Sequence, residues 1–166
     1  MPVASNVSIA PADFPADGDV VRHLFAEYVD SLGIDLSFQD VAVELASLPG
    51  KYASPQGAVL LARDAGGRAL GCVALRPWRP PGTGEVKRLY VCPEARGQAF
   101  GQRLAEAVVG AARQAGYTRL VLDTLASMQP ALRVYRALGF RPVPAYYDNP
   151  LPDTVYMALE LSPTPA

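Results

Sequence analysis

The chain has 166 residues, half of them hydrophobic and 19% charged, with a formal net charge of −1 at pH 7. That composition describes one soluble globular domain over residues 1–166, large enough to bury roughly 70% of its extended-chain surface. The balance of 15 basic and 16 acidic residues excludes the basic footprint of a nucleic-acid binder. With a single histidine, His23, and no zinc-like Cys/His spacing, no metal is expected.

The two cysteines, Cys72 and Cys92, read as small buried apolar groups of a reducing compartment. No apolar run is long enough for a bilayer and no secretory leader is visible, so a cytoplasmic protein without a membrane partner is expected.

Residues 1–5 and 162–166 read as short tails, and residues 6–10 as a first strand. Val20, Leu24, Tyr28 and Leu32 then recur every four residues, beside Val21 and Phe25. That spacing predicts an amphipathic helix, capped by Asp17 or Asp19 and stopped by Gly33. After an irregular segment over 33–38, a second short helix is expected over 40–48, before Pro49-Gly50. Residues 58–62, 69–75 and 85–92 form three strands of a meander, with turns at 64–68 and 80–82. Phe100, Leu104, Val108, Ala111 and Ala115 mark the buried stripe of a helix that Gly116 ends. A buried strand at 120–122 follows. A last helix carries Met128, Leu132, Tyr135 and Leu138, with Pro130 in its first turn and Gly139 past its end. A short strand near Arg141 and a final strand over 155–161 complete the chain. Meander strands followed by helix-separated strands predict an α/β fold, a mixed sheet with helices on both faces.

The most informative segment runs from Leu89 to Leu104, where a strand ends, the chain turns and a helix begins. A helix start offers unbonded N–H groups and the positive end of its dipole. Gly97 and Gly101 allow a ligand near the backbone, and Arg96 adds a fixed charge. Together they suit a pyrophosphate. An ordinary turn with glycines for geometry is the competing interpretation. A dinucleotide fold is disfavoured: Asp123 lies where a ribose-binding acid would sit, but the glycine spacing is not G-x-G-x-x-G.

This segment resembles the coenzyme A-binding motif of the GNAT superfamily of N-acetyltransferases, Arg/Gln-x-x-Gly-x-Gly/Ala. Arg96 and Gly101 match it, and Ala99 stands where the middle glycine would be. A positive φ there would cost Ala99 about 1 kcal/mol or more, and a negative one nothing. The stretch from Ala131 to Phe140 resembles the family's second signature, a helix with a tyrosine four residues before Gly-Phe. Residues 122–128, with Tyr146-Tyr147-Asp148-Asn149-Pro150, resemble a bacterial subgroup whose acceptors are mostly unassigned. Where the family often has an asparagine, this chain has Met128.

The resemblance implies a GNAT-like, largely antiparallel central sheet and acetyl-coenzyme A as co-substrate. It implies that Leu89, Tyr90 and Val91 hold the pantetheine arm, with a backbone N–H near Val91 for the thioester oxygen. Arg96, Gly97, Gln98, Ala99, Phe100, Gly101 and Gln102 would cradle the pyrophosphate. Tyr135 becomes the candidate general acid, although its spacing alone, with Leu132 and Leu138, favours a core position. Glu85, on the strand that should line the acceptor cleft, is the candidate general base, acting through water. Lys87, Trp78, Tyr146, Tyr147 and Asn149 are candidates for the acceptor site. Lys87 and Arg88, with Arg76 and Arg79, form a basic patch that could bind phosphates or an acidic group, or could be solvated strand ends. The expected reaction is direct transfer of acetyl to a primary amine, on a small molecule, by a monomer or homodimer. A non-catalytic coenzyme A-binding sensor module is the alternative.

Overall fold

A computed structural model describes residues 7–33, 35 and 40–161. The tails over 1–5 and 162–166 and most of the expected irregular segment lie outside the described residues. The elements are β1 (Ser8–Pro11), α1 (Gly18–Leu32), α2 (Val41–Ala46), β2 (Ala58–Arg63), β3 (Ala69–Pro77), β4 (Thr83–Val91), α3 (Phe100–Gln114), β5 (Arg119–Leu125), α4 (Gln129–Ala137), β6 (Arg141–Pro142) and β7 (Thr154–Glu160). The order foreseen from the sequence is the order found, including the short strand at Arg141.

The seven strands form one sheet in the order β1-β2-β3-β4-β5-β7-β6. Every neighbouring pair is antiparallel except β4 and β5. Alternation along the strands builds a core on each face. Val59, Leu61, Cys72 and Ala74 pack with Val21, Leu24 and Phe25 of α1. Leu60, Ala62, Val73 and Leu75 pack on the other face with Leu104 and Val108 of α3 and Leu132 of α4. Burial of each large apolar side chain contributes about 1.5–3 kcal/mol.

Local details follow their chemistry. Asp17 caps α1 by position, but its carboxylate is spent on the Asp13 N–H and on Arg63, each at 2.8 Å. Gly33 ends the helix in the left-handed conformation, with φ of 64°. On α3 the buried stripe runs through Phe100, Leu104, Val108 and Ala112 instead of Ala111 and Ala115. Ala105 and Val109 are buried beside it, while Ala111 is half-buried and Ala115, at the end of the helix, is exposed.

Candidate active site

The site begins with a defect in β4. Cys72 is level with Tyr90, but Ala74 is level with Lys87, so Arg88 and Leu89 together stand opposite Val73. This is a β-bulge, and Arg88 adopts a φ of 61° within it. The extra residue shifts the alternation. Val86 packs in the core under α3, while Tyr90 and Cys92 pack in the core under α1. In a regular strand Val86 and Tyr90 would share a face. The bulge is pinned by charge. The buried Arg88 guanidinium reaches both oxygens of Glu44 on α2, Nε to Oε2 at 3.0 Å and Nη2 to Oε1 at 3.1 Å. The Tyr52 hydroxyl donates to the same carboxylate at 2.7 Å.

Parallel pairing between β4 and β5 covers Thr83–Glu85 against Arg119–Val121, while β5 stays paired with β7 as far as Leu125. Past those three pairs lies a cleft of about 720 Å³, bounded by Leu89, Tyr90 and Val91 on one side and by Leu125, Met128, Ala131 and Val134 on the other. The Cys92 N–H donates to the Leu70 carbonyl at 2.8 Å. By the alternation of antiparallel ladders, Val91, opposite Gly71, turns its N–H and C=O away from β3 and toward the cleft. Its carbonyl accepts from Arg96 Nε at 3.1 Å.

The same cleft ends on the start of α3. The first N–H to find a helical partner is that of Arg103, which donates to the Ala99 carbonyl at 3.1 Å. The N–H groups of Phe100, Gly101 and Gln102, earlier in the helix, have no such partner within it. All the residues expected to hold the coenzyme line this cleft except Gln98, which is exposed beside it. Space at the glycine fits a close ligand: a Cβ on Gly101 would meet nothing nearer than Val91 Cγ2, at 3.8 Å. Ala99 has a φ of 65°, so the strained alternative considered for it is the one realised. A cleft of this size, walled by strand backbone and ending on a helix start beside an arginine, fits a coenzyme A-sized ligand.

A second, small pocket adjoins the cleft. It is lined by Tyr28, Lys87, Arg88, Asp123, Thr124 and Asn149, and it shares Leu32, Leu125 and Met128 with the cleft. Lys87 and Asn149 were expected here. Asp123 was not. Its Oδ2 accepts from the Tyr147 hydroxyl at 2.6 Å, and Asn149 Nδ2 lies 3.4 Å from it. Burial lowers the Lys87 pKa, opposed by the charges of Glu85 and Asp123. Burial raises Tyr28 to about 12, with Arg88 pulling it down and Asp123 pushing it up.

Glu85 is fully buried behind this pocket. Its Oε2 accepts from the Tyr146 hydroxyl at 2.6 Å, and Arg76 Nε lies 2.8 Å from Oε1. Trp78 meets Tyr146 and Tyr147 edge-on, with centroids 5.4 and 6.1 Å apart, so the expected aromatic wall exists. It lies over Glu85, outside the pocket's immediate lining. Of the expected basic patch, Arg76 is committed to the buried Glu85 and Arg88 to the half-buried Glu44, while Arg79 is exposed and stacks on Trp78. Tyr135 sits on α4 in the core against Phe140, behind the residues that line the cleft. Burial raises its pKa, with the charges of Tyr28 and Asp123 adding to the shift. It therefore keeps its proton throughout the neutral range.

The Acetyltransferase (GNAT) family matches residues 22–140, a span that includes the bulge, the loop and both helices beside the cleft. The chain belongs to the GNAT family of acetyltransferases. An uncharacterized N-acetyltransferase of Schizosaccharomyces pombe is 46% identical over 158 residues, covering 95% of this chain and 97% of the relative. A GNAT-family acetyltransferase structure from Staphylococcus aureus superposes with a TM-score of 0.76 at 17% identity, over 94% of this chain and 99% of the other. A Salmonella typhimurium structure that holds its cofactor acetyl-CoA gives a TM-score of 0.68 at 22% identity, over 98% of each chain. These two show the shared fold. As a GNAT member the protein is an acetyltransferase, of a family that uses acetyl-CoA. No helix among the described residues is long and apolar enough to cross a membrane, and no metal-binding group is found among them.

Proposed function

We propose that this acetyltransferase moves acetyl directly to the primary amine of a small molecule, in a ternary complex without an acyl-enzyme. One observation carries the reading: a long cleft with a helix start at its end opens, through Leu32, Leu125 and Met128, into a small polar pocket. Two ligands can therefore meet at that junction. When bound, acetyl-coenzyme A supplies an already activated thioester, so positioning carries much of the rate.

In this reading Arg96 and the first N–H groups of α3 hold the pyrophosphate. The backbone of Leu89, Tyr90 and Val91 holds the pantetheine arm. Tyr135 holds a proton for the departing thiolate. Glu85, being enclosed, receives the amine's proton at second hand. A water carries that proton from the pocket to the Tyr146 hydroxyl, which passes its own to Glu85 across their 2.6 Å hydrogen bond. Lys87 and Asn149 meet the acceptor, Tyr147 holds Asp123 in place beside them, and Trp78 braces the aromatic wall.

The test is a calorimetric titration with acetyl-coenzyme A and with free coenzyme A, followed by an amine screen that reads thiol release. Micromolar binding and turnover of at least one small amine are expected. Absence of binding would sink the reading, and turnover confined to peptide lysines would replace the acceptor class. Glu85→Gln should change the pH-rate profile, and an unaltered profile would remove Glu85 from the mechanism.

A further inference from the structure

The coenzyme cleft and the small pocket share three lining side chains: Leu32 at the end of α1, Leu125 at the end of β5 and Met128 just before α4. All three are apolar and half-buried. On the cleft side of them runs the strand from Leu89 to Val91, and on the pocket side stand Asp123, Thr124 and Asn149. Among the described residues, the junction between the two cavities is therefore an apolar collar.

Three contacts fix Met128 in that collar. Its N–H donates to the Leu125 carbonyl at 2.9 Å, and its own carbonyl accepts from the Leu132 N–H at 3.1 Å. The hydroxyl of the buried Thr124 donates to its Sδ at 3.6 Å. Methionine is ordinarily an adaptable filler, because its chain is unbranched and freely rotating. Here main chain and sulfur are both anchored, so its bulk stays in the wall.

Volume decides what the collar admits. The small pocket measures about 40 Å³, room for roughly three water-sized groups. An acetyl methyl, the attacking nitrogen and the carbon that bears it already fill that room. Each methylene added to the acyl chain has to displace the acceptor or push Met128 aside, and a packed wall resists even one extra methylene.

We propose that Met128, with Leu32 and Leu125, sets the length of acyl chain the protein transfers and excludes donors longer than propionyl. The inference rests on the transfer reading above and names its donor class. At the collar the acyl carbon exchanges its bond to sulfur for one to the amine nitrogen. The amine's proton goes to Glu85 and the thiolate takes one from Tyr135, as described above. The apolar collar keeps the methyl of a short chain out of water, and its fixed bulk turns a longer chain away.

The experiment measures kcat/KM for acetyl-, propionyl- and butyryl-coenzyme A on one amine acceptor, in the full-length protein. Propionyl is expected about tenfold below acetyl, and butyryl about a hundredfold or more below. Met128→Ala should bring butyryl to within about tenfold of acetyl, while Met128→Leu, which keeps the bulk, should keep the original ranking. Leu32→Ala should relax the ranking in the same direction, and it carries the test if Met128→Ala does not fold. A plain packing role for Met128 would lower all three donors together and leave their ratios alone. Butyryl used as well as acetyl by the unaltered protein would overturn the proposal, as would ratios that survive both alanine variants. If no amine turns over, the same donors are titrated calorimetrically. Met128→Ala should then shift affinity toward butyryl- over acetyl-coenzyme A by about tenfold or more, which supports the collar while the transfer reading fails. Coenzyme binding whose dependence on chain length the variant leaves unmoved overturns the collar alone. Absence of any coenzyme binding overturns both.

Discussion

The coenzyme cleft is made mostly of main chain: the turned-out edge of β4 at Val91, the first N–H groups of α3, and the open space beside Gly101. The pocket next to it is made of side chains, each aimed by another from far along the chain. Asp123 is aimed by Tyr147 and Asn149, Glu85 by Tyr146, and Arg88 by Glu44. Main-chain recognition suits a ligand common to a whole family, because any sequence that keeps the fold keeps the donors. Side-chain recognition can be rebuilt residue by residue, and it carries what differs between members.

The sharpest break between the two regions is expected at Glu44. Glu44→Ala removes the carboxylate that grips the buried Arg88 guanidinium at two points and should cost about 3 kcal/mol, read as a shift in the urea midpoint. If the regions are separable, the folded variant binds coenzyme A normally and loses affinity for the acceptor. Tyr135→Phe, behind the cleft lining, should lower kcat about a hundredfold with little change in coenzyme affinity, measured by steady-state kinetics beside calorimetry. Equal loss of both would return Tyr135 to a packing role. Gly101→Ala should weaken coenzyme binding about tenfold while melting temperature holds or rises, since the added methyl enters the cleft without touching the protein closely. The smallest effect is expected at Ala99, whose φ of 65° favours glycine. Ala99→Gly should add about 1 kcal/mol of stability and leave the acceptor profile untouched.

The same division explains what could be read in advance. Helices and strands were legible because burial imposes periods of 3.6 and 2 on Leu24, Phe25, Leu104 and Leu132. The cleft was legible because its parts, from Leu89 to Gln102, lie within one strand-loop-helix unit. Asp123 was noticed and set aside, since nothing near it in sequence shows that Tyr147 and Asn149 will aim it. Glu85 was expected to face the acceptor cleft, but a strand position does not show that Arg76 and Tyr146 will enclose it. Arg88 looked like a surface charge. The one available signal was its place on the strand face of Cys72 and Tyr90, and the bulge hid even that, because alternation breaks where a residue is inserted.

That inserted residue has a consequence for how the protein can change through descent. β4 is read in one frame up to Lys87 and in the other from Tyr90 onward. Deleting Arg88 would bring Leu89 level with Val73 and leave Tyr90 and Cys92 on the face they now occupy, whereas the loss or gain of one residue on either side of the bulge would exchange the faces of everything downstream. The bulge itself can therefore be lost in descent without disturbing either core, and what would go with it is the Arg88 grip on Glu44.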